Sequence, residues 1–501
     1  MKFCHFFDSA PILNVPGRMH PVDVFNIEHE VEDYLEEALT AVYHILLFEE
    51  DQGHILVFLT GEEEIERACH ALRTDSRFDD DFVVLPLYSA LAPQDQQRVF
   101  DTRASQRKVI VATNIAETSV TIPGVVYVVD CGYSKQKVFL PHARAETLLV
   151  QPISKASARQ RAGRAGRTRP GKCYRLYSAA AFVELPEANR AEILRTSITQ
   201  VILQLSKLGV GNIVDFPWID PPPSDTVIRS LEELESLGAL TPQLHITPLG
   251  IQMSHLPLDP NLAATLLQAH EEGCTKQLAA IIAMLSVPKL YIKGDRDSDV
   301  TAERAQSHFK VRDSDHLTLL KIYNYYVQAC TGDVNGELSM KLMEDGCRAG
   351  RDFCAKYKLH EKSMRQVARI RFQLLQILQG LQLPTPGMQA YDYDDMGYSI
   401  AVRRALCRGM FMNVACLVEY EYVQPIDGHR FQLHPSSCLK RTDDWIVYHE
   451  AIVTQQNYLR ICSQIERQWL QELAPQFVQT LKTMAPSDAV RAVVCNAFPA
   501  I

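Results

Sequence analysis

Six basic residues crowd one short stretch of an otherwise acidic chain: Arg159, Arg161, Arg164, Arg167, Arg169 and Lys172. Its centre reads Gln160-Arg-Ala-Gly-Arg164-Ala-Gly-Arg167. Arg164 and Arg167 stand three residues apart, so on a helical turn their side chains point the same way. The glycines of the stretch let a ligand approach the backbone. Guanidinium groups so placed can neutralise charge developing on a transferring phosphoryl group, as arginine fingers do. The plainer alternatives are a solvated basic face or an Arg/Gly tract in a disordered tail. An apolar strand before the stretch and Tyr174-Arg-Leu-Tyr177 after it argue against the tail.

The elements that must position this stretch are read from apolar patterning. Leu35, Leu39, Val42, Tyr43 and Leu46 recur at helical spacing between Val31 and Glu49. His54 to Leu59 is a short apolar run that reads as a buried parallel strand. Glu62 to Leu72 is helical, Val83 to Tyr88 a second strand and Pro93 to Phe100 a second helix. Lys108 to Thr113 and Val125 to Asp130 are further strands. This alternation predicts an α/β domain with a parallel sheet covered on both faces. Cys131 to Ser154 holds two extended stretches around Pro141, a hairpin.

After Tyr177 the pattern turns helical. Ile198, Val201, Ile202, Leu205 and Leu208 form an apolar stripe closed by Gly209. Pro221 to Pro223 interrupt the chain, and Ser224 is expected to cap a helix that stops at Gly238. Short helices with tight turns predict a winged-helix module, followed by a longer helical region to about Gly380. Past a Pro/Gly/Asp-rich linker, alternating strands around Asn413–Glu419, Arg430–His434 and Trp445–Tyr448 predict a small barrel.

At 501 residues the chain is too long for one core. Its 47% hydrophobic and 22% charged residues are those of an ordinary globular protein, and no apolar run reaches membrane-spanning length. Met1 to Phe7 makes a poor signal peptide. The thirteen cysteines contain no C-x-x-C pair and no cluster at metal-ligand spacing, so reduced thiols are expected, and no metal site. A net charge of -9 argues against a general nucleic-acid binder, leaving local positive sites as the place for phosphate.

Gln160 to Arg167 resembles motif VI of superfamily-two helicases, and Ala112-Thr-Asn-Ile-Ala-Glu-Thr-Ser119 looks like motif V of the DEAH-box/RHA family nearly letter for letter. Phe58-Leu-Thr-Gly-Glu62 is similar to that family's motif IV, and Leu85–Ala90 and Gln96–Phe100 match the segments between them. The order and spacing of these pieces agree, and the resemblance runs from about Pro11 to about Pro475. Pro16-Gly-Arg18 with Pro21-Val22 resembles the connector that follows the first RecA-like domain.

The resemblance implies roles. Gln160, Arg164 and Arg167 match positions that contact the ATP phosphates and attacking water, Phe100 the aromatic that stacks on adenine, and Thr121 a ribose contact. The usual acidic neighbour of that ribose contact is Pro123 here. Without the resemblance, Phe100 reads as packing. Thr60, Gly61, Thr113, Asn114 and Lys135 match backbone contacts to single-stranded RNA, which carry no base information. Small hydroxyls and amides at the ends of parallel strands sit where open sheets bind ligands, though Thr113 could equally end a strand and cap a helix.

The division expected is a connector over 1–30, a second RecA-like domain over 31–180, a winged helix over 181–256, a helical ratchet domain over 257–382, a linker over 383–397, an OB-fold over 398–480 and a tail over 481–501. An ATPase of this kind also needs a phosphate-cradling loop and a metal-binding acidic strand. The chain has no G-x-x-x-x-G-K-[ST], no D-E-x-H or D-E-x-D, and no S-A-T; Gly171-Lys172 is followed by Cys173 and a strand. The expectation is therefore the carboxy-terminal part of an ATP-dependent RNA helicase, as a fragment, an incomplete gene model or a shortened product. It would act with ATP and Mg2+ only when complete. The alternative is a non-catalytic RNA-binding or scaffold protein. Implied partners are single-stranded RNA or an RNP and a G-patch activator at the winged-helix and OB-fold surface, with no membrane. Implied residence is nuclear, otherwise cytoplasmic, and not secreted. An unrelated Rossmann-type domain is excluded, since no G-x-G-x-x-G follows the first strand.

Overall fold

The computed structural model describes residues 2–13, 20–29, 31–75, 77, 82–89, 91, 93–101, 106–118, 121–140, 145–287, 290–292, 307–333, 336–387, 396–440, 444–453, 456–484, 490 and 493. Pro16, Gly17 and Arg18 of the expected connector, Ala90, Ser119, Pro141, residues 388–395 of the linker and most of the 481–501 tail lie outside them. The chain divides into two compact units, 1–138 with 148–195, and 139–147 with 196–501.

The first unit begins with helix α1 (Lys2–Phe6), strand β1 (Val22–Asn26), α2 (Tyr34–Phe48), β2 (His54–Phe58), α3 (Glu62–Thr74) and β3 (Phe82–Leu87). It continues through α4 (Pro93–Phe100), β4 (Arg107–Ala112), α5 (Ile115–Thr118), β5 (Val125–Asp130) and most of the paired strands β6 (Tyr133–Leu140) and β7 (Ala145–Pro152), whose residues 139–140 and 145–147 fall to the second unit. Helix α6 (Lys155–Ala162), β8 (Gly171–Arg175) and α7 (Ala179–Glu184) complete it. Six strands form one sheet in the order β1-β8-β5-β2-β4-β3, every pairing parallel.

Because side chains alternate along a strand, the sheet sorts its apolar residues into two cores. Ile55, Val57, Val109, Val111 and Val129 face α2 and α3. Leu56, Phe58, Ile110, Ala112 and Val128 face Val99 of α4, Ala116 of α5 and Ala162 of α6. Strands β4 and β5 are buried along their whole length, as covered parallel strands must be. Phe58 pairs with both Ala112 and Asp130, so β2, β4 and β5 end level. Everything that follows them in sequence is delivered to one edge.

Three expectations need correction. The segment read as connector contributes β1, an edge strand paired in parallel with β8. Its Val-Asp-Val-Phe-Asn is largely exposed and lacks the apolar run of the central strands, so patterning passed over it. Ser224 does not cap: it is the first helical residue, with Pro223 before it and no side-chain bond to the helix. The stripe near residue 200 is also turned by about one position. Ile198, Ile202 and Leu203 are buried, while Val201 and Leu208 face solvent.

The second unit opens with α8 (Thr199–Lys207), α9 (Ser224–Ser236), an antiparallel bridge between Leu240 and Ile246, and α10 (Pro248–Ser254). Helices α11 (Pro260–Gln268), α12 (Thr275–Leu285), α13 (Asp315–Thr331), α14 (Met340–Asp345), α15 (Arg348–Lys356), α16 (Glu361–Gly380) and α17 (Met396–Met410) follow. Then β9 (Val414–Val418), β10 (Glu421–Val423), β11 (Arg430–Leu433), β12 (Trp445–Ile452) and β13 (Tyr458–Gln464) close into a barrel, and α18 (Arg467–Leu473) and α19 (Pro475–Met484) end the unit. The architecture is thus a RecA-like parallel sheet, helical modules and a small barrel. The barrel has five strands where three were read; β10 is only three residues long, and β13 mixes exposed and buried positions in an irregular order.

Candidate functional site

Helix α6 delivers the basic stretch. Ser154 caps it by accepting from the Ser157 N–H at 3.1 Å, and the helix ends at Ala162. Arg164 and Arg167 therefore lie past the helix: Arg164 sits in a tight turn held by its own N–H to the Arg161 carbonyl and the Ala165 N–H to the Ala162 carbonyl, and Arg167 in the bend that follows. They are not on a helical face as expected, yet both aim at one segment. Arg164 donates to the Glu117 carbonyl oxygen, and Arg167 donates to the Thr121 hydroxyl. Arg164 is buried and Arg167 exposed. Burial, and then the charge of Arg167, hold the Arg164 pKa below the usual arginine value. Two cations that oppose one another at a half-open surface are a site an anion would relieve.

Phe100 ends α4 and is half-buried against the core that also holds Ile122, Ala162 and Ala165. It is partly the packing residue its isolation suggested, since the residue is only half-buried. Gln160 is exposed on α6, and Thr121 is exposed beside Arg167. The expected nucleotide residues thus gather on the face of the sheet carrying α4, α5 and α6.

The expected RNA residues gather at the level edge instead. Thr60 and Gly61 follow β2, Thr113 and Asn114 follow β4, and Lys135 lies on β6 just past β5. The Leu59 N–H donates to the Ala112 carbonyl at 2.9 Å, and the Thr113 N–H to the Leu87 carbonyl at 3.1 Å. Thr60 is buried, and its hydroxyl donates to Glu64 at 2.7 Å. The Glu64 carboxylate also takes the Tyr34 hydroxyl at 2.6 Å, and the Tyr34 ring stacks on Tyr133 at 5.5 Å. Gly61 precedes α3, and a methyl built on it would stand 2.6 Å from the Lys135 ammonium. The ammonium therefore lies directly over bare backbone. Asn114 is exposed at the same edge. The turn after β4 contains no side-chain cap from Thr113; its carbonyl accepts the Ala116 N–H at 3.2 Å.

Between the two groups sits a residue that sequence reasoning counted only among the basic ones. Arg161 is 0% exposed. It donates to Asp130 at 2.7 Å, to Glu117 at 3.2 Å and to the Tyr133 carbonyl at 3.2 Å, with its guanidinium 4.8 Å from the Phe58 ring centre. Burial opposes its charge, but the carboxylates of Asp130 and Glu117 more than offset that and raise its pKa. Tyr177 donates to the other Asp130 oxygen at 2.9 Å. One cation thereby joins the 112–118 segment, the end of β5 and the start of β6. The signal for it was Asp130 itself: a carboxylate ending the apolar run Val125–Val129 has to find a buried partner.

Comparison with known proteins fits this geometry. Residues 37–169 match the helicase conserved C-terminal domain, 230–258 the winged-helix part and 259–319 the ratchet-like part of the helicase associated domain (HA2), and 402–478 an oligonucleotide/oligosaccharide-binding (OB)-fold. The pre-mRNA-splicing factor ATP-dependent RNA helicase prp22 of Schizosaccharomyces pombe is 38% identical over 485 residues, which are 95% of this chain and 39% of that protein. The chain thus spans well under half the length of that relative.

Proposed function

From the premise that this chain belongs to the DEAH-box/RHA family of ATP-dependent RNA helicases, as its carboxy-terminal region, we propose that it forms one wall of an ATP site and one bed for single-stranded RNA. Arg164 and Arg167 stabilise charge on the transferring phosphoryl group, Gln160 orients the attacking water, and Phe100 and Thr121 take adenine and ribose. The observation carrying this reading is that Arg164, in the turn after α6, and Arg167, in the next bend, bond to Glu117 and Thr121, which follow the RNA-edge residues Thr113 and Asn114. Phosphate-side residues suited to ATP are present. The sequence holds no P-loop and no D-E-x-H or D-E-x-D for Mg2+; in this reading another RecA-like domain supplies those ligands.

RNA lies across the Thr60, Gly61, Thr113, Asn114 and Lys135 edge and is gripped by its backbone. The function served is RNA processing, with pre-mRNA splicing in the nucleus the reading favoured by the relative. A G-patch activator is a further candidate partner for the winged-helix and barrel surface.

The 501-residue polypeptide by itself is expected to show no RNA-stimulated ATP hydrolysis. Fused to a P-loop- and DEAH-bearing RecA-like domain, it should hydrolyse ATP, and Arg164→Ala or Arg167→Ala should slow that turnover about a thousand- to hundred-thousand-fold. Steady-state phosphate release on the two polypeptides checks this. Turnover by the isolated chain, or an active fusion indifferent to both arginines, would defeat the proposal. A non-catalytic RNA-binding role is the second reading, favoured by the missing phosphate loop. ATP-independent RNA binding by the chain, with no turnover in the fusion, would select it.

A further inference from the structure

Two thiols of the helical region crowd one point. Cys330 sits at the end of α13, and Cys347 immediately precedes α15. A methyl group built on Gly350 would lie 2.8 Å from the Cys330 sulfur and 3.2 Å from the Cys347 sulfur. The missing side chain at Gly350 is what lets α15 approach α13 so closely. Both sulfurs thus flank the same point beside the Gly350 backbone, with the edge of the Tyr326 ring 3.2 Å from that built methyl. Both cysteines are half-buried, so a small oxidant can reach them, whereas Cys354 one helical stretch on is buried.

We propose that Cys330 and Cys347 are a disulfide-forming modification site whose oxidant is a hydroperoxide. The two sulfurs are not equivalent. Burial first, and then the neighbouring Cys347 thiol, push the Cys330 thiol up to about 12, so it is a poor thiolate and a poor first target. Cys347 precedes the helix, its sulfur accepts the Gly350 N–H at 3.2 Å and it is only half-buried, so it is the first target. The peroxide transfers one oxygen to the Cys347 sulfur, giving a sulfenic acid and, from hydrogen peroxide, one water. The Cys330 sulfur then attacks the Cys347 sulfur; the S–O bond breaks, its oxygen leaves as water with the Cys330 proton, and the S–S bond forms. Two thiols are oxidised, one peroxide is reduced and two waters are released. The product staples the end of α13 to the start of α15 and closes the segment between them.

The test treats the folded 501-residue chain with hydrogen peroxide, blocks remaining thiols by alkylation, digests it and identifies cross-linked peptides by mass spectrometry. The expected result is a Cys330–Cys347 peptide pair lacking two hydrogens, reversed by dithiothreitol and preserved in Cys354→Ser. Cys330→Ser should leave Cys347 as a sulfenic or sulfinic acid with no cross-link. Over-oxidised Cys347 beside an alkylated Cys330 in the native chain would overturn the proposal, as would a cross-link dominated by Cys354. The native chain and Cys354→Ser alone suffice for the decision if the Cys330 variant does not fold.

Discussion

Two fully buried polar side chains, one in each unit, are held in opposite ways. In the first, Arg161 keeps its charge, held by Asp130 and Glu117 below the level edge of the sheet. In the second, His316 of α13 is also fully buried, but burial keeps it neutral, its pKa down to about 3. The His316 ring contacts Ser463 of β13 through Nδ1 at 2.8 Å, and Ser463 contacts Ser314. Nearby His449 of β12 is likewise depressed, to about 4, by burial and then the charge of Arg460. It borders a cavity with Gln200 and Asp259, and the residue as a whole is half-buried. A buried charge with two counter-charges is a rigid, directional joint; a buried neutral imidazole is a cheaper joint that acid can open. The charged joint lies where the proposed nucleotide and RNA residues meet, while the neutral joint ties a helix to the barrel.

The largest expected effect comes from breaking the charged joint. Arg161→Met leaves Asp130 and Glu117 buried without their cation and should cost about 3–5 kcal/mol of stability. Urea denaturation of the chain followed by far-UV dichroism measures it, and a loss below about 1 kcal/mol would mean the carboxylates find water or other partners.

Acid tests the neutral joint. A histidine whose folded pKa lies below its unfolded value stabilises the fold fully above about pH 6.5. That stability is lost as pH falls toward about 4 for His449 and about 3 for His316. The slope should approach about 1.4 kcal/mol per pH unit for His316, with a smaller share from the half-open His449. Unfolding midpoints measured at successive pH values between about 7 and 5 should flatten in His316→Asn. An unchanged slope in that variant would place the acid sensitivity elsewhere.

The smallest effect concerns the open edge above the charged joint. Gly61→Ala meets only the flexible end of Lys135, so stability should change by no more than about 0.5 kcal/mol. Single-stranded RNA affinity, followed by fluorescence anisotropy at fixed salt, should nevertheless fall several-fold. Adding Lys135→Ala to both the parent chain and the Gly61→Ala variant should bring their affinities together. Equal affinity of Gly61→Ala and the parent chain would remove Lys135 from the RNA bed.

Much of the sheet was readable because its central strands are buried on both faces and must be apolar throughout: Val125–Val129 admits no other placement. Phe100, Thr121, Arg164 and Arg167 were singled out by the likeness of whole motifs, and the structure brings them to one face of the sheet. Edge strand β1 was not readable, since an exposed strand has no apolar run to betray it. Nor was the partner of Thr60, because Glu64 looks like one of three acidic residues opening a helix. Spacing placed Arg161 among the basic residues but could not say which of them turns inward.

The order of motifs, the covered parallel sheet and the chemical character of the basic stretch follow from the linear chain, because periodicity and residue type are local properties. Which arginine turns inward to hold Asp130 and which two turn toward the 117–121 side depends on where α6 ends, just before Arg164. So do the closeness of Lys135 to Gly61 and of Cys330 to Cys347 depend on packing. These are contacts between residues far apart in sequence, and only the packing of strands and helices brings such groups within bonding distance.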